Sequence, residues 1–203
     1  MNRSVVALFA VAGVLFLAYP VVRPYSDETG LEGARAFASN QWVPAHLFAM
    51  LGFIAAASAV AAIGSRVTGV TMLLGTGLVL PYYGAEAFSL HAIGTRALSE
   101  SDLNLMSLAD PIRYGAVQAT MFAAGLVLLA VGAVSLAVST WSRWRWFTIP
   151  FAAGFVLFLP QFYGPPPVRI AHGVLMLLGC ALVAYRAART DFARSTRPVI
   201  LSA

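Results

Sequence analysis

Six long apolar runs alternate with short polar connections along the chain. The first covers 5–22, preceded by Arg3 and closed by Tyr19 and Pro20, and the polar segment 23–41 after it holds Asp27, Glu28, Glu32 and Arg35. The second run, 42–64, opens with Trp42 at an interfacial position and Pro44 in the first turn, where a missing N–H costs nothing. A turn at Ser65 and Arg66 leads into the third run, 68–90, in which Gly75 and Gly77 precede a kink expected at Pro81. A second polar segment, 94–111, contains 98–108, whose apolar spacing predicts a short helix on the membrane surface, capped by Ser99 or Asp102. The fourth run is 114–139. In the link 140–146, TWSRWRW, Trp141, Trp144 and Trp146 alternate with Arg143 and Arg145, the pattern of an interfacial anchor. The fifth run reaches Phe162 through Pro160 and Gln161, and the turn 164–167 leads to the sixth, 168–186, before a basic tail with Arg189, Arg194 and Arg197.

A bilayer crossing needs about 20 apolar residues. The pattern therefore predicts an all-α integral membrane protein in which 1–203 form a single transmembrane bundle of six helices. A small-residue cleavage pair at Ala10 and Ala12 leaves too short an apolar stretch before it, so the first run is expected to be a retained span rather than a signal peptide. Counting arginines beside the spans places Arg3, Arg66, Arg143, Arg145, Arg186, Arg189, Arg194 and Arg197 on one side and five on the other. The positive-inside rule then puts both termini in the cytoplasm.

The runs also resemble one another. FLAYP, LVLPYYG and LFLPQFYG end the outgoing spans at 16–20, 78–84 and 157–164, while AHLFAMLG at 45–52 and AHGVLMLLG at 171–179 begin two returning ones. Three similar helical hairpins are one reading, and the ordinary attraction of Pro and aromatics to outer helix ends is the other. Small residues along 55–62, and Gly125 and Gly132 one heptad apart, suit close helix packing within the chain or against a second copy or another membrane subunit.

Composition narrows the class further. Of the 203 residues 60% are apolar and 10% charged, too few charges for a soluble domain of this length. The net charge of +5 comes from arginines scattered between apolar runs, which argues against nucleic acid as a partner and for the lipid bilayer of the cell membrane. A single cysteine, Cys180, excludes an internal disulfide and a cysteine-based zinc site.

Candidate chemistry centres on Glu86, an ionisable residue inside the third run and hence expensive unless it has a partner or a task. Topology gathers His46, His91 and His172 at the outer ends of spans at similar depth, together with Tyr82, Tyr83, Arg113, Gln118, Gln161 and Arg169. The inner halves of the spans are apolar, so the cluster predicts an outward-facing pocket that binds or senses a small ligand, not a through-pore. In the structural reading, Glu86 pairs with Arg113 or Arg169 and the histidines cap helix ends. His46, Glu86, His91 and His172 also form the ligand types of a divalent metal site with an open position, which would make the chain a zinc-type membrane hydrolase. Glu86, Ser89, His91 and His172 resemble, in residue type alone, the three-histidine membrane hydrolases of the ceramidase and adiponectin-receptor kind. That family has seven spans and paired histidines on one helix, both lacking here, so the resemblance assigns no family. Bis-histidine haem is a further option with three histidines, short of the four that di-haem cytochromes use. A non-catalytic subunit of a membrane complex is the remaining alternative.

The orientation has a direct test. Cysteines introduced at Ser39 or Ser101 should react with an impermeant maleimide on intact cells, and one at Ser142 should not; the opposite pattern would place the polar cluster in the cytoplasm.

Overall fold

The computed structural model describes residues 3–195, with side chains from 3 to 189; the side chains of Arg194 and Arg197 in the basic tail lie outside the described residues. The chain folds entirely into helices, with no strand among the described residues: α1 (Arg3–Val22), α2 (Gly30–Ala38), α3 (Trp42–Ile63), α4 (Arg66–Gly84), α5 (Leu90–Ser99), α6 (Ala109–Tyr114), α7 (Ala116–Trp144), α8 (Ile149–Val156) and α9 (Pro166–Ser195). Single wide or tight turns join some of them: a π-turn at Ala85–Ser89, and 3₁₀ turns at Leu103–Leu108, Arg145–Thr148 and Pro160–Tyr163. Five stretches are long and apolar enough to cross a bilayer by length and composition: Arg3–Val22, Trp42–Ile63, Arg66–Ser99, Ala116–Val156 and Pro166–Arg189.

The fourth of these is not straight. Arg145 takes a left-handed φ of 47°, the chain turns over Arg145–Thr148, and α8 packs back on α7 and forward on α9. With α1 on α3 and α9, α3 on α4, and α4 on α7, six helical legs close a ring in which chain neighbours are spatial neighbours. Short connections enforce this order. Between α3 and α4 only Gly64 and Ser65 intervene, and the Ser65 hydroxyl accepts the Thr68 N–H at 3.1 Å to cap α4.

The middle of the ring is filled with aromatic rings. Phe16 stands edge-on to Phe53 at 5.1 Å and to Phe155 and Phe158 at 5.9 Å each, and all four are buried. The α4–α7 seam is closed by glycines instead: a Cβ built on Gly125 would lie 2.9 Å from the Gly75 carbonyl oxygen.

The helical path of the third span continues past residue 90 into the cap, and Pro81 does not break it. The Ala85 N–H reaches the Pro81 and Tyr82 carbonyls, and the helical path runs for 34 residues from Arg66 to Ser99. At about 1.5 Å per residue this is roughly 50 Å, well beyond a hydrocarbon core of about 30 Å. The excess becomes α5, which packs on α2 so closely that a Cβ on Gly94 would sit 2.6 Å from the Phe37 Cβ. The first polar segment thus contains the helix α2, and the second is largely helical, through α5, the 3₁₀ turn Leu103–Leu108 and α6. Their apolar faces form a second, smaller core of Ala34, Phe37, Trp42, Leu90, Ala97, Met106 and Ala109 that caps one end of the ring. Asp102 does cap a short helix there, accepting the Asn104 N–H at 3.0 Å, but that helix is the 3₁₀ turn Leu103–Leu108. At the opposite end α7 continues through Trp141 to Trp144, absorbing most of the aromatic and basic link.

Replacing Gly125 or the fully buried Ala59 by Leu should cost about 1–3 kcal/mol, read as a lower thermal midpoint in detergent. Unchanged midpoints for both would mean that these faces look outward rather than into the ring.

Candidate functional site

The capped end holds a chain of alternating charges. Glu86 lies in the π-turn, where the Leu90 N–H bonds to the Ala85 carbonyl instead of the Glu86 carbonyl that a regular α-helix would use. The Glu86 carbonyl instead accepts the Trp42 indole N–H at 2.7 Å. Its carboxylate, 8% exposed, is gripped by both arms of the Arg113 guanidinium, Nε to Oε1 and Nη2 to Oε2, at 2.8 Å each. The third nitrogen of Arg113, Nη1, reaches Oε2 of Glu28 at 2.6 Å, and Arg23 binds the other oxygen of Glu28 at 2.5 Å. Four charges in the order Arg23, Glu28, Arg113, Glu86 thereby neutralise one another. Aromatic faces line them: Trp42 lies 5.1 Å from Arg23 and 5.9 Å from Arg113, and Phe37 5.0 Å from Arg113.

His46 extends the series without joining it by a hydrogen bond. Its Nδ1 donates to the Trp42 carbonyl at 2.7 Å, which turns Nε2 toward Oε2 of Glu86 at 3.7 Å. The ring is packed among Tyr19, Trp42 and Tyr83.

Beside this ladder is a cavity of about 900 Å³, within the range of about 300–1,000 Å³ typical of small-molecule sites. Arg23, Glu28, His46, Glu86, Arg113 and Arg169 give it a charged wall, Ala119, Phe122, Ala123, Leu159 and Phe162 an apolar one, and Tyr82 stacks on Phe122 at 4.2 Å between them. Exposed Tyr114 and Tyr163 stand at its rim. Beneath it lies the aromatic filling of the ring, including Phe53, which meets Tyr83 at 5.6 Å.

Of the residues expected from sequence, the cavity brings together His46, Tyr82, Tyr83, Glu86, Arg113 and Arg169. The others are engaged elsewhere. His91 Nδ1 donates to the Phe37 carbonyl at the end of α2 at 2.7 Å, and His172 Nε2 to the Gly154 carbonyl near the end of α8 at 2.8 Å. Gln118 caps α6 through the Pro111 and Ile112 carbonyls, and buried Gln161 sits in the 3₁₀ turn Pro160–Tyr163. Only His46 and Glu86 of the four candidate metal ligands are neighbours, and among the described residues no three His, Cys, Asp or Glu side chains lie together as a metal ion requires.

Arg23, Glu28, Trp42 and Tyr25 complete the site without having been expected there from the sequence. Tyr25 donates to the Pro20 carbonyl at 2.9 Å and offers its ring to Arg23 and Arg169. The available signal was weak: an arginine directly after the first span, with an acid five residues on. No known sequence family, curated protein or solved structure matches the chain.

Burial alone would raise the Glu28 carboxyl, but Arg23 and Arg113 outweigh it and hold the group below its ordinary value of 4.5. Unfolded, Glu28 takes up its proton at higher pH than it does folded. Its stabilisation is therefore fully present above about pH 4.5 and is lost as the pH falls through the lowered folded value. The thermal midpoint of the wild type should drop across that acid range, whereas Glu28→Gln should start lower at neutral pH and lose less on acidification. Parallel curves for the two proteins would show that Glu28 contributes nothing to this dependence.

Proposed function

We propose that the chain crosses the cell membrane six times with both termini in the cytoplasm, and that its capped end faces outward and binds or senses a small ligand. The sixth crossing is supported by the leg 149–163, which packs between α7 and α9 although α8 itself has only eight residues. The orientation is supported by the arginines. Arg3, Arg66, Arg143, Arg145, Arg186 and Arg189 lie in the elements and turns of the uncapped end, as the positive-inside rule asks of the cytoplasmic side.

The cavity carries the functional reading. It joins a polar, charged wall to an apolar one, is of ligand size, and stops at packed phenylalanines rather than continuing through the ring. A dead-ended site of this kind suits binding better than conduction. The zinc-type hydrolase has less support, because His91 and His172 spend their hydrogen bonds on helix-end carbonyls away from Glu86.

Ala123 lies on the apolar wall and is only partly buried, so Ala123→Trp should fill the space while the protein still folds. Native mass spectrometry of protein extracted from its own membrane should find a bound small molecule on the wild type that this variant lacks. Identical spectra, with the variant folded and equally stable, would overturn the assignment of the cavity as a ligand site.

A further inference from the structure

Four of the five arginines at the capped end have a carboxylate partner: Arg23 with Glu28, Arg35 with Glu32, Arg96 with Glu100, and Arg113 with Glu86 and Glu28. Arg169 has none among the described residues. Its Nε and Nη2 donate to the carbonyls of Gly164 and Phe162 at 3.0 and 2.5 Å, and its guanidinium carbon lies 5.8 Å from the centre of the Tyr25 ring. Carbonyls and an aromatic face fix the direction of this cation without cancelling its charge. It is half-buried in the cavity wall, in which three arginines face two glutamates.

The polar side of the cavity thus offers one uncompensated positive charge. Facing it are Phe122, Phe162 and Leu159, which can hold only apolar groups.

We infer that the cavity takes an amphipathic anion, with a carboxylate or phosphate head on Arg169 and an apolar chain against Phe122 and Phe162. The inference rests on the reading of the cavity as a ligand site and names its chemical class. A charge-assisted, forked contact to Arg169 replaces the counterion that the protein itself does not supply, and the apolar wall is buried in the same event. A free acyl carboxylate and an anionic phospholipid from the surrounding bilayer share this chemistry.

Binding of radiolabelled decanoate to the full chain in phosphatidylcholine nanodiscs tests it, with decanol as the uncharged counterpart. Decanoate should bind and raise the thermal midpoint, and decanol should bind about tenfold more weakly or worse. Arg169→Gln should weaken decanoate by about tenfold or more and leave decanol unchanged, while Arg169→Lys, which keeps the charge but loses the fork, should weaken decanoate less than Arg169→Gln does. Loss of decanoate when phosphatidylglycerol is added would identify the lipid headgroup as the source, and retention would identify the free carboxylate. Equal binding of decanoate and decanol, both unaffected by Arg169→Gln but abolished by Ala123→Trp, would overturn the anion while leaving the ligand site in place. Decanoate binding that survives Ala123→Trp would remove the site itself, and no stabilisation by either decanoate or phosphatidylglycerol would overturn the inference outright.

Discussion

The capped end depends on one guanidinium. Arg113 holds Glu86 with two nitrogens and Glu28 with the third, and thereby ties the π-turn of the 34-residue helical path, the segment after α1 and α6 to a single point. Only arginine can do this. Its planar fork presents donors in several fixed directions, whereas a lysine ammonium is a point charge that matches one carboxylate well and two poorly. Removing one partner of a buried ion pair costs about 3–5 kcal/mol because the remaining charge is stranded. Loss of Arg113 strands two, Glu86 and Glu28, of which only Glu28 retains another cation.

A geometric mismatch supplies the frame that holds this point. The third membrane leg is too long for a bilayer, and its overshoot becomes a helix with one apolar face that must be buried. The chain between the first and second legs provides α2 to cover that face, and the result is a cap with its own small core. The π-turn marks the boundary between leg and cap. By accommodating an extra residue it releases the Glu86 carbonyl to the Trp42 indole, and this contact anchors the start of α3 beside the ladder. The polar site thus sits where bundle and cap meet, with the phenylalanine-filled ring beneath it.

The helical legs were legible because a bilayer imposes both a length and an apolar composition on each, and these leave a trace in any single sequence. The pairing of Glu86 with Arg113 was legible as one of two choices, since a buried carboxylate near an interface needs a cation at its own depth. The link from Arg113 to Glu28 was not. It joins residues 85 positions apart through two segments that read as polar loops, and no periodicity records such a contact. The histidines show the same limit from the other direction. Chain position gave the depth of His91 and His172 but not the direction of their rings, and unpaired carbonyls at the ends of α2 and α8 decided it. Trp42 followed the interfacial rule in sequence yet is wholly buried, because its indole N–H found an acceptor freed by a turn that only the folded backbone reveals.

The distribution of charge now has a common cause. Five arginines at the end opposite the most basic turns run against the usual bias, and neutralisation is what makes them tolerable: four are matched by acids drawn almost entirely from the two polar segments. In a partly desolvated wall an unmatched charge projects its field much farther than it does in water. Arg169 is that charge, held in place by carbonyls and the Tyr25 ring at the edge of an otherwise balanced ladder. An anion seated beside it would bring the cavity wall to the balance already achieved between Arg23, Glu28, Arg113 and Glu86. The same requirement that pairs buried Arg23 and Arg113 with carboxylates would therefore favour an anion in the proposed ligand site.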